Sequence, residues 1–95
     1  MLFIVHAVDR TDALPTRLEN YDAHKAFLSD TSRFGVKIVM SGPLVGDDNK
    51  TMIGSFFLVE APSRTEVEAF HQSDPFLAAG IWKNVTITGF LRRQG

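Results

Sequence analysis

His24 is the residue whose placement calls for chemistry. In the run Tyr21-Asp22-Ala23-His24-Lys25-Ala26-Phe27-Leu28, the side chains of Tyr21, His24, Leu28 and Thr31 share one helical face, because residues three and four apart line up on a helix. That face turns the imidazole inward, where an unpaired polar group costs about 1 to 3 kcal/mol. A polar partner or a ligand is required, and Asp74, in Ser73-Asp74-Pro75, is the candidate partner. A histidine oriented by a carboxylate is a general acid/base, with an ordinary pKa of ~6.5 that suits proton transfer at neutral pH. Two plainer roles compete with this one. His24 can be a satisfied core histidine, and Asp74 can simply cap the helical turn that Pro75 opens, a contribution of about 1 kcal/mol.

Other residues of chemical interest rank lower. Ser41-Gly42-Pro43 can set a hydroxyl and free backbone N–H groups at the mouth of a substrate pocket, although Gly-Pro after a strand more often marks a turn. His6 and His71 invite a metal hypothesis, but the histidine spacing is not a metal motif, and surface or hydrogen-bonded structural roles are expected for both. Trp82, Phe56, Phe57 and Phe90 are read as core and interface aromatics rather than as a ligand cage. The chain has no cysteine, which removes disulfides, thiolate metal sites and a thiol nucleophile. With no glycine-rich phosphate loop either, the chemistry expected of His24 and Asp74 is proton abstraction or elimination on a small organic acid or phenol, without cofactor or metal.

The elements that must position these residues follow from pattern. Ninety-five residues fit one domain with one core. A net charge of -1 and a pI near 6.3 leave no basic footprint for nucleic acid. No stretch approaches the ~20 apolar residues that span a bilayer, and the apolar run at residues 2–8 lacks the flanks of a signal peptide. A soluble, cytoplasmic protein is expected. Residues 2–8 read as a strand rich in β-branched and aromatic side chains. A helix is predicted from Leu14 to about Phe34, with Pro15 in its first turn and Gly35 as its C-terminal stop. Residues 36–41 and 52–60 form a hairpin whose turn chemistry lies at residues 42–50. Ser63 and Glu66 make an S-x-x-E capping pattern for a second helix that buries Val67 and Phe70. A short helical turn after Asp74-Pro75 and a strand from about Ile81 to Leu91 complete the order βαββαβ.

That order is the α+β, ferredoxin-like split βαβ arrangement, an antiparallel sheet with both helices on one face. The first and third strands are apolar on both alternating sets, as central strands should be, whereas the second and fourth are more polar. Helices on one side leave the second apolar face uncovered, which monomers rarely permit. A homodimer packed sheet to sheet is therefore expected.

Four segments carry a family likeness: the opening Met-Leu-Phe-Ile-Val, Arg17 through His24, Ser41-Gly42-Pro43-Leu44, and Ser73-Asp74-Pro75-Phe76-Leu77-Ala78-Ala79-Gly80. Together they resemble the YciI-like (YCII-related) family over nearly the whole chain. The resemblance implies a ferredoxin-like dimeric α/β barrel with an active site built on His24 and Asp74. It also brings in relatives that include a dehydrochlorinase of a chlorinated hydroxyquinol and muconolactone isomerase-like proteins. The expectation is a cofactor-independent lyase or isomerase, with a small-molecule binding module or a non-catalytic accessory dimer as the alternatives.

Overall fold

Period-two alternation decides which side of the sheet is covered. Strands β1 (Leu2–Asp9), β2 (Lys37–Val45), β3 (Met52–Glu60) and β4 (Trp82–Phe90) form one antiparallel sheet in the order β2-β3-β1-β4; the computed structural model describes residues 1–95. Phe3, Val5 and Ala7 of β1 stand opposite Val59, Phe57 and Ser55 of β3, and all six are buried. The intervening His6 and Val8 are exposed, so the helices cover a single face. On that face lie α1 (Leu14–Glu19), α2 (Tyr21–Leu28), α3 (Arg64–Gln72) and α4 (Pro75–Ala78). Phe27, Val67, Phe70 and Phe76 close the core against the sheet. The predicted ferredoxin-like topology is the one observed, and no helix is long and apolar enough to cross a membrane.

Three local expectations are corrected. The helix predicted through Phe34 is broken at Asn20, whose φ of -102° and ψ of 7° lie off the helical values. Its side-chain amide donates to the Thr16 carbonyl at 2.9 Å, a backbone-directed bond of the kind that makes asparagine a poor interior helix residue. After α2 the chain runs through a separate 3₁₀ turn, Ser32–Phe34, and it is this turn that Gly35 ends with a φ of 72°.

Gly42-Pro43, read as a turn, lies inside β2, where Gly42 faces Phe56 and Pro43 faces Ser55. β2 is an edge strand, and an edge is where a sheet tolerates the missing proline N–H. The hairpin turn falls later, with the Gly46 N–H donating to the Thr51 carbonyl at 2.9 Å and Asn49 at a φ of 61°. Asp48 organises it, accepting from the Thr51 hydroxyl and from the Lys50 and Thr51 amides. These bonds hold its carboxyl down to about 2.

The S-x-x-E pattern forms differently from a capping box. The Ser63 hydroxyl donates to the Glu66 carboxylate, and the Ser63 side chain caps no backbone N–H. At Gly54, a Cβ would strike the Ala7 carbonyl, so β3 approaches β1 more closely there than a side chain permits.

Candidate active site

Asp74 makes both contacts that the sequence set against each other, the cap and the bond to His24. It is the N-cap of α4, extended at φ -69° and ψ 128°, with Oδ1 accepting from the Phe76 amide at 2.9 Å. The same Oδ1 lies 2.8 Å from Nδ1 of His24. Pro75 supplies a first helical position that needs no N–H partner, so the short helix is set and the aspartate anchored by one local pattern. Asp74 is 2% exposed and His24 7%. A carboxylate at Nδ1 selects the tautomer with the proton on that nitrogen, which leaves the Nε2 lone pair free. Aromatic rings fix the imidazole plane: Phe76 stacks on it at 3.8 Å and 4°, and Phe57 meets it edge-on at 6.0 Å.

His24 forms part of the wall of a cavity of about 400 Å³ between the helices and the β2–β3 edge. Ser41, Gly42 and Pro43 all line it from β2, although as strand rather than turn residues. Asp74 does not line it; the carboxylate stands behind the imidazole. Tyr21 and Leu28, on the helical face read from the sequence, share the wall with His24. No carboxylate lines the cavity, whereas Arg17 and Lys25 do. The site therefore combines a proton acceptor, cationic groups and hydroxyls with the apolar surfaces of Leu28, Met52 and Phe57, a lining suited to a small planar anion.

Arg17, Asp9 and Ser55 were not singled out by the sequence. The Arg17 guanidinium donates to Asp9 through Nε at 2.9 Å and Nη2 at 3.1 Å, and Nη2 also reaches Ser55 Oγ at 2.6 Å. The guanidinium carbon lies 4.9 Å from the centre of the Phe76 ring, the same ring on which His24 stacks. Two signals pointed here. Arg17 continues the helical face of Tyr21 and His24, and Ser55 is a hydroxyl on the inner side of an otherwise apolar strand.

The remaining histidines lie elsewhere. His6 is exposed on the open sheet face. His71 is half-buried and stacked on Trp82 at 5.4 Å; burial pushes its pKa below the ordinary value while the Asp74 charge pulls it upward. Trp82 packs behind Phe76 at 5.9 Å and does not line the cavity. Of the four aromatics considered from sequence, only Phe57 does. No group of three histidine, aspartate or glutamate side chains gathers as a metal site.

Fold and site together define a ferredoxin-like α+β domain with a buried histidine–aspartate pair beside a ligand-sized cavity. Residues 1–91 match the family model described as YCII-related domain, and the chain belongs to that family. It is 30% identical to Protein YciI of Escherichia coli and equally to that of Shigella flexneri, over 95% of this chain and 96% of each relative. Among solved structures it is similar to the 5-chloro-2-hydroxyhydroquinone dehydrochlorinase (TftG) of Burkholderia phenoliruptrix AC1100 in complex with 2,5-dihydroxybenzoquinone. The TM-score is 0.85, with 36% identity over 98% of this chain and 96% of that one.

Proposed function

We propose that the protein is a cofactor-independent enzyme, of lyase or isomerase type, that moves a proton on a small phenol or organic acid. The observation that carries this reading is the tethering of His24 Nδ1 to Asp74 at 2.8 Å while the imidazole borders the cavity. Nε2 takes a proton from a substrate O–H or C–H, and Asp74 stabilises the imidazolium that forms. The electron pair left behind moves into the substrate. In an isomerisation it collects the proton at another carbon; in an elimination it expels a leaving group such as chloride, so that the net change is loss of HCl. Neither course consumes an oxidant or reductant. Ser41 and the Gly42-Pro43 backbone hold the substrate at the β2 side of the cavity. Similarity to a dehydrochlorinase of a chlorinated hydroxyhydroquinone supports a phenolic substrate.

The test is chloride release from 5-chloro-2-hydroxyhydroquinone, together with a panel of hydroxylated aromatic acids. Turnover that falls about 10²-fold or more in both His24→Ala and Asp74→Asn is expected. Turnover that stays near the wild-type rate in His24→Ala would falsify the assignment of the base.

We infer also that two copies pack through the open sheet face. At its centre Ile4 is half-buried and pairs with the buried Leu58, while Met40 and Phe90, 54% and 39% exposed, flank them and leave apolar surface open. An uncovered apolar surface of this kind favours association. Light scattering should report a dimer at micromolar concentration, and a stable monomer there would rule the assembly out.

A further inference from the structure

Ser55 sits on the helix-covered side of β3, level with Ala7 of β1 and Pro43 of β2, and it is 3% exposed. Its hydroxyl has one partner in the chain, Arg17 Nη2 at 2.6 Å. A guanidinium can only donate, so Ser55 Oγ is the acceptor in that bond and its own hydrogen remains to be given elsewhere. Arg17 is equally buried at 3% exposed. Its Nε and Nη2 are committed to Asp9 and Ser55, which leaves Nη1 with two N–H groups and no partner in the chain. Both residues line the cavity that His24 borders.

Two relays thus start from nearly buried carboxylates and end at one cavity. Asp74 to His24 ends in a lone pair; Asp9 to Arg17 to Ser55 ends in donors. We propose that Ser55 Oγ–H and Arg17 Nη1 form an oxyanion-binding arm, which receives the charged oxygen of a phenolate or enolate while His24 holds the proton. The proposal rests on the acid–base reading of His24 and deepens it by naming the ligand: a planar phenol or enol that binds as its anion. Asp9 is the positioning residue. It ties two of the guanidinium's donors and fixes the direction in which Nη2 addresses the serine. A hydroxyl polarised by a cation is a stronger donor to an anion than a free one, and a preorganised donor pair acts where charge develops.

The test uses 4-nitrophenol, whose phenolate absorbs in the visible, with 4-nitroanisole as a neutral analogue of nearly the same shape. At a fixed pH the bound dye should be richer in phenolate than the free dye. Ser55→Ala should lower its phenolate-to-phenol ratio about tenfold, the scale of one hydrogen bond to a charged group. Ser55→Thr, which keeps a hydroxyl, should restore the ratio, and affinity for 4-nitroanisole should be the same in all three proteins. Arg17→Lys keeps a charge without the fork and should lose as much as Ser55→Ala or more. Circular dichroism confirms that each variant is folded, and the Ser55 pair decides the matter if the arginine variant is not.

Repeating the Ser55 substitutions in a His24→Asn background separates this proposal from the one on which it rests. There the Ser55 effect on the dye should persist whether or not His24 is the base. The proposal is overturned if the dye does not bind, if it binds as the neutral phenol, or if Ser55→Ala lowers thermal stability without moving the spectrum.

Discussion

His24 and His71 belong to one aromatic cluster and differ in what else they touch. His24 stacks on Phe76 and His71 on Trp82, and those two rings meet edge to face. Both imidazoles are removed from bulk water, one buried and the other half-buried. Only His24 has a carboxylate in hydrogen-bonding position and a cavity beside it. His71 has no side-chain hydrogen bond, and burial is the larger influence on its proton, with Asp74 opposing it from a distance. Stacking and burial hold a ring in place; an oriented carboxylate and an open volume are what the proposed proton transfer adds.

The contrast is broken most sharply by activity. His24→Ala should lower kcat/KM by about 10²- to 10⁴-fold, the range of a positioned general base, whereas His71→Gln should stay near wild type. Asp74→Asn should resemble His24→Ala, and the double variant should lose little more, because the pair acts as one unit. Multiplicative losses in the double variant would separate the two residues. Next in size, Phe76→Ala removes the ring beneath His24 and beside Trp82. About 3 to 5 kcal/mol of stability should be lost in chemical denaturation, with disturbance at both histidines in NMR spectra.

A smaller effect isolates the cap. Asparagine caps a helix about as well as aspartate, and alanine does not. Asp74→Ala should therefore be less stable than Asp74→Asn by about 0.5 to 2 kcal/mol in the same denaturation. The smallest effect belongs to His71. Its folded pKa is lowered from 6.5, so as the pH falls the unfolded chain takes up the proton first. The His71 contribution is present above the unfolded value, declines as the pH drops through the folded one, and then levels off. Thermal melts from neutral to mildly acidic pH should show a shallower decline in His71→Gln. An unchanged slope would assign the acid sensitivity to other groups.

The histidine–aspartate pair was legible because each half carries a local signature. His24 lies on a helical face of spacing three and four, and Asp74 precedes a proline at the first position of a helical turn. Only their meeting, across 50 residues, required the fold, and of the sequence readings the family resemblance alone implied it. The Asp9–Arg17–Ser55 relay carried only weaker signs, the place of Arg17 on the Tyr21–His24 face and a lone hydroxyl in an apolar strand. Arginine on a helix commonly lies in solvent, and no short pattern says that a serine in a third strand will face it across a separation of 38 residues. Gly42-Pro43 failed for the opposite reason. Its local preference for a turn is real, and edge pairing with β3 overrode it. At Asn20, the apolar face reads straight through a break in the helix, where the side-chain amide bonds the Thr16 carbonyl.

One oxygen of Asp74 serves both the α4 amide and the imidazole, and that sharing bears on how the protein can change over generations. On the proposed function, a descendant that lost the reaction would still need the aspartate, or an asparagine, to begin its last helical turn. Selection for folding alone would keep this position polar. A hydrophobic replacement at His24 would leave the cap bond intact but strand a buried carboxylate beside Phe57 and Phe76, a cost that asparagine at position 74 removes. If the proposed chemistry were abandoned, a change at His24 should therefore come together with Asp74→Asn, and a polar residue at position 74 should not by itself be taken as a sign that the chemistry survives.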